Sequence, residues 1–185
     1  MKIFLSILIL IFSFQSYIMA DDIKDFEIEG MSIGDSTLDF FTLEDINNAV
    51  DESYEDRQYI TKTFISIKSD IYDALQISYK SNDSNKTIVS IVGVSIYKNN
   101  IEGCKKIMYE ISSQLTNLFP LTIKKDWGKY NNGDNTGHYF PITFYFDDNS
   151  TAMVSCHDWH EKTGIDDNLK ISLFDKHFSK YIEGR

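Results

Sequence analysis

"ISYKSNDSNKTIVSI", residues 77–91, reads as two β-strands folded back across a polar turn. Ile77 and Tyr79 continue the alternation begun at Leu75, so that one face of residues 73–80 is apolar, as a half-buried strand requires. "SNDSN" (81–85) supplies the turn residues. Beyond it, "KTIVSIVGVSIYK" (86–98) is apolar on both faces, as a central strand would be. Gly93 inside that strand signals a bulge or a close backbone approach. A similar stretch recurs as "FYFDDNSTAMVSC" (144–156), a second hairpin around Asp148-Asn149.

Working outward, "YITKTFISIK" (59–68) is rich in β-branched and aromatic residues and forms a third strand before the first hairpin. From 100 to 118 the period changes. Ile101, Cys104, Ile107, Met108, Ile111, Leu115 and Leu118 fall at three- and four-residue spacing, which predicts an amphipathic helix ended before Pro120. Residues 35–50 read as another helix with a break allowed at Thr42, where Thr42 and Asp45 make a capping-box-like start. "LTIKKDW" (121–127) and "NLKISLFD" (168–175) add strands, and 176–184 a short terminal helix. Each half thus runs helix, strand, strand, strand. The expected fold is a two-layer α+β domain over 21–185, with helices packed on one face of an antiparallel sheet. A helix-plus-three-strand pseudo-repeat is suggested.

The first twenty residues join one lysine to a long apolar run ending at Met19-Ala20, the pattern of a signal peptide over 1–20. Export to the periplasm or the medium follows. Beyond residue 20 no apolar stretch approaches the ~20 residues that span a bilayer. Residues 21–58 carry 13 acids against Lys24 and Arg57, whereas from Tyr59 onward acids and bases balance at 15 each. All the net negative charge therefore sits near the N-terminal end. Such a field repels nucleic acid and favours a basic partner, so Asp35, Asp39, Glu44 and Asp45 are the expected binding surface. Cys104 and Cys156 are the only cysteines, an even number for an oxidising compartment, and are expected to pair.

Two overlapping patterns point to hydrolysis. Gly30-Met31-Ser32-Ile33-Gly34 fits the nucleophile elbow, and Gly34-Asp35-Ser36 reads like the opening block of a GDS-type esterase. The supporting blocks are missing: the strand before it, "DFEIE", is short and acidic, and no late Asp-x-x-His element follows. Gly30 and Gly34 then serve tight turns, while Asp35 or Ser36 caps a helix. A serine esterase using Ser32 or Ser36, with His157 or His160 as base, is the alternative reading. A third is a metal or small-ligand site around His138, His157 and His160, though zinc needs three or four convergent ligands and none is assembled here. "NNGDNTG" (131–137) resembles half a calcium loop through Asn132, Asp134 and Thr136, but its twelfth position is Thr143, not glutamate. No catalytic set, metal or cofactor is implied. The sequons at Asn82, Asn85 and Asn149 coincide with expected turns.

The combination of "FEIEGMSIGDSTLDFF" (26–41), "IEGCKK" (101–106) and "VSCHDW" (154–159) resembles small exported bacterial proteins of unknown function, a resemblance that implies no activity. "GMS" before a capped helix and three antiparallel strands is more distantly similar to the small outer-membrane-assembly lipoproteins and the tandem β-lactamase inhibitor proteins. Those similarities imply a non-catalytic domain that binds a protein or envelope component. The chain departs from the lipoproteins in having no cysteine after its apolar leader.

Overall fold

The computed structural model describes residues 22–65, 67–132 and 136–184; the expected leader at 1–20 and Asp134 lie outside them. Nine strands form one antiparallel sheet: β1 (Val50–Asp51), β2 (Tyr59–Ile65), β3 (Ala74–Lys80), β4 (Ile88–Ile96), β5 (Ile123–Asp126), β6 (Tyr130–Asn131), β7 (Gly137–Tyr145), β8 (Thr151–Trp159) and β9 (Asn168–Phe174). Their order is β1-β2-β3-β4-β9-β8-β7-β5, with β6 also on β7. The helices are α1 (Leu43–Asn48), α2 (Ile101–Leu118) and α3 (Lys176–Glu183).

Both hairpins form, each for a local reason. In the β3–β4 turn the Asp83 carboxylate accepts the backbone N–H groups of Asn85 and Thr87, and Lys86 adopts a left-handed φ of 50°. In the β7–β8 turn Asn149 takes φ 69° while the Asp148 carboxylate accepts the Ser150 N–H. Asn and Asp side chains that bond their own backbone are what such turns need. β4 then pairs with β9, which joins the two halves at the centre of the sheet.

A bulge in β4 decides which residues face which way. Ser78 pairs with Ser90, but Tyr79 pairs with Ile88, leaving Val89 as the extra residue. Ile88 and Ile91 therefore share the larger core with Leu75, Ile77, Val154, Leu169 and Leu173. Val89 and Val92 join the smaller core with Tyr59, Phe174 and Phe178.

α2 lies on the first of these faces, against β8 and β9. Asn100 caps it by accepting the Gly103 N–H, and Cys104, Met108, Ser112 and Leu115 form its buried stripe. Met108 and Leu115 each contribute roughly 1.5–3 kcal/mol by burial. The Cys104–Cys156 disulfide fixes the helix to β8. α3 packs on the second face, its Phe178 set edge-on to Tyr59 at 5.1 Å and its Ser179 hydroxyl 2.9 Å from that of Thr151.

This arrangement corrects the expected architecture. The molecule is an open nine-stranded antiparallel sheet, not two layers with all helices on one face, because α3 and α2 take opposite faces. The pseudo-repeat fails on its helices. The helical parts of residues 35–50 are only a 3-10 turn at Thr37–Asp39 and the six-residue α1, against eighteen residues in α2. The capping box at Thr42 and Asp45 is present, yet α1 buries only Ile46, so no apolar stripe extends it into a layer.

Candidate functional site

The serine-containing segment is tied to the start of β4. Gly30 and Gly34 adopt φ values of 75° and 100°, open only to glycine at little cost. The Gly34 N–H donates to the Ile88 carbonyl, and the Ile88 N–H to the Asp35 carbonyl. Asp35 also accepts the Ser32 N–H at 2.8 Å. The Ser36 hydroxyl donates to the Asn85 carbonyl at 2.7 Å and accepts the Leu38 N–H at 3.2 Å, which caps the 3-10 turn. Ser36 is thus held in a turn-to-turn link, and neither it nor Ser32 hydrogen-bonds a histidine among the described residues.

The four acids of the expected surface share one stretch but differ in setting. Asp39, Glu44 and Asp45 are exposed and Asp35 is half-buried. Asp45 accepts both the hydroxyl and the N–H of Thr42, bonds that hold its carboxyl below the usual range. Leu38, Phe40 and Leu43 project among them, exposed to 39%, 42% and 59%. Large apolar side chains set among acids are not what a merely solvated face requires.

The histidines separate. His138 and His160 lie 5.6 Å apart by ring centroid, with the His138 Nδ1 2.8 Å from the Asn131 side-chain oxygen. His157 pairs with Tyr139, the residue after His138, and so faces the other side of the sheet. Among the described residues no three His, Cys, Asp or Glu side chains gather as a metal site would need.

His157 instead belongs to a group that the sequence reading did not assemble. Across the sheet, Tyr139, His157 and Asn168 form one register row, and Pro141, Ser155 and Lys170 the next. All six therefore share the second face, away from the end that α3 occupies. His157 Nε2 lies 3.1 Å from the hydroxyl of the fully buried Ser155. Burial, and then the charge of Lys170, pull the imidazole pKa down to about 3, so the ring is neutral. Its Nδ1 is buried and has no partner among the described residues. A Ser–His contact without a carboxylate on the second nitrogen lacks the orienting group that a hydrolytic triad uses.

Two neighbours carry the same defect. The Trp159 Nε1 and the Asn168 Oδ1 are also buried without a hydrogen bond. The Asn168 amide nitrogen donates to the Asp166 carbonyl, which identifies the oxygen as the unpaired atom. Each unpaired buried polar atom costs about 1–3 kcal/mol. Four side-chain atoms in the described structure are of this kind, and three lie on these adjoining residues.

A row of rings leads to them. Trp127, Tyr130, Tyr139, His157 and Trp159 follow one another at centroid spacings of 6.0, 5.7, 5.5 and 5.9 Å, and the last three are nearly parallel. Lys125 caps the row, its ammonium 3.2 Å from the Trp127 ring centroid. Lys170, partly buried beside Ser155, makes no ion pair among the described residues. Burial lowers its pKa, and Glu52, itself bound to Thr63 and Gln76, offsets only part of that.

The period-two pattern could have found this face. Ser155, His157 and Trp159 alternate with Val154, Cys156 and Asp158, as Asn168 and Lys170 do with Leu169. Trp159 lies at the end of β8 within this row. No family profile, curated protein or solved structure matches the chain.

Proposed function

We propose that the protein is an exported, non-catalytic binding domain whose acidic N-terminal segment engages a basic protein or envelope surface. The observation that carries this reading is the placement of Leu38, Phe40 and Leu43 in the open between Asp39, Glu44 and Asp45. The apolar side chains supply contact area and the carboxylates supply charge complementarity and steering. The segment is presented in a fixed shape, because Thr37 is fully buried and its hydroxyl donates to the Lys86 carbonyl. A preordered surface loses less entropy on binding than a flexible one.

Export is supported by the apolar leader and by the buried Cys104–Cys156 disulfide, a bond that persists in oxidising compartments. Among the described residues no helix is long and apolar enough to cross a membrane.

The test is capture of envelope and secreted proteins by the wild-type chain and by an Asp39→Lys/Phe40→Ser/Glu44→Lys variant. Asp35 and Asp45 are left intact because they hold local structure. The reading requires a partner that the wild type retains, that salt releases, and that the variant loses while keeping its circular dichroism. Equal capture by both chains would remove the assignment of this surface.

A further inference from the structure

We infer that the open end of the sheet's second face, around Tyr139, His157, Trp159, Asn168 and Lys170, is a binding site for an acidic glycan. Its sugar rings would lie on the aromatic side chains, its hydroxyls meet the unpaired polar atoms, and its carboxylate face Lys170. This site is separate from the acidic segment and goes beyond the function proposed for it.

The chemistry of the unpaired atoms selects the ligand. Trp159 Nε1 can only donate and Asn168 Oδ1 can only accept, so the ligand must offer both kinds of group. His157 Nδ1 serves as either, according to which partner holds the proton in its contact with Ser155. A carboxylate alone cannot satisfy Asn168, whereas a hydroxyl both donates and accepts. Hydroxyls arrayed on a ring suit three such atoms on adjoining residues.

The rings select the rest. Tyr139, His157 and Trp159 are nearly parallel, with interplanar angles of 12° and 17°, and each is partly exposed. Such a stack offers aromatic surface beside a few fixed polar groups, the composition of a small-ligand site. Pyranose rings combine an apolar C–H face with a polar edge and match it. Lys170 and Lys125 place positive charge on this face of a chain whose net charge is −10. That favours a uronate-bearing sugar over a neutral one.

The experiment is binding of the disulfide-bonded protein to a printed array of matched neutral and uronate-bearing oligosaccharides, followed by titration of the retained sugars using isothermal calorimetry. Retention of a uronate-bearing sugar at least tenfold tighter than its neutral counterpart is expected. Trp159→Phe, which keeps a six-membered ring but removes the N–H together with the fused five-membered ring, should weaken binding about tenfold. Lys170→Gln should bring the acidic sugar down to the level of the neutral one. No retention by a folded sample would overturn the proposal, as would equal binding of neutral and acidic sugars or binding unchanged in both variants. A crystal structure with one ordered water bridging the three unpaired atoms, together with an array lacking any signal, would assign those atoms to water alone.

Discussion

The Ser155 hydroxyl and the Nε2 of His157 lie 3.1 Å apart on the same face of β8, and among the described residues no acid completes the pair. The consequence is a pH dependence of stability. His157 is pulled to about 3 in the folded protein, below the ordinary value of 6.5. As pH falls, the unfolded chain binds this proton first, so the contribution is complete above 6.5 and is lost as pH drops toward 3. The carboxylates held low by hydrogen bonds, Asp45, Asp51, Asp83 and Asp148, act only below their ordinary range. Asp167, raised by burial, has the opposite sign. Denaturant midpoints at pH 7 and 4.5 should therefore fall more for the wild type than for His157→Phe. Equal falls would show that the imidazole is not held neutral.

Cys104 and Cys156 are fully buried and close a loop of 52 residues in sequence. On the chain-entropy account, opening it destabilises the fold by about 4 kcal/mol. A Cys104→Ala/Cys156→Ala chain should show that loss in urea unfolding. Because neither sulfur meets solvent, thiol reductant should act on the native protein only as fast as it opens. Rapid reduction without denaturant would contradict the buried staple.

How much of this was legible follows from which signals are local. The hairpins could be read because Asp83, Asn85, Asp148 and Asn149 make their own turns. α2 could be read because its apolar stripe repeats over eighteen residues before Pro120. The face that α3 chooses depends on the bulge at Val89 and on contacts with Tyr59, far away in the chain. The length of α1 was overread because its cap is strong while its stripe is a single residue, Ile46. The expected cysteine pair forms, but the row from Trp127 to Trp159 needed the register of β6, β7 and β8 to become one surface.

Gly93 is read in the sequence as a bulge or a close approach, and the structure supplies the second. A Cβ there would overlap the ring of Tyr72, which is half-buried against β4 with its pKa raised by desolvation. Gly93→Ala should cost about 1–3 kcal/mol by overpacking. Gly184→Ala, where the nearest atom to a Cβ is 3.6 Å away, should change stability by less than about 0.5 kcal/mol. Pairing Gly93→Ala with Tyr72→Ala in a double-mutant cycle should show positive coupling, since the second change removes the obstacle. Additive losses would mean that the ring is not what the glycine accommodates.

Ser36 and Thr42 are expected to matter for stability and not for chemistry. Ser36 accepts the Leu38 N–H while donating to Asn85, and Thr42 exchanges hydrogen bonds with Asp45. Removing an N-cap hydroxyl costs about 1 kcal/mol. Ser36→Ala should lose somewhat more than Thr42→Ala, because it also breaks the tie to the β3–β4 turn and leaves the Asn85 carbonyl short of a partner. A serine-directed fluorophosphonate should leave the folded chain unlabelled, since activating a serine requires a base and, among the described residues, the Ser36 hydroxyl hydrogen-bonds only backbone groups. The Ser32→Ala chain serves as the companion control. Specific labelling of the folded protein, lost in either alanine variant and absent after heating, would make the Gly30–Ser36 segment catalytic and overturn the capping account.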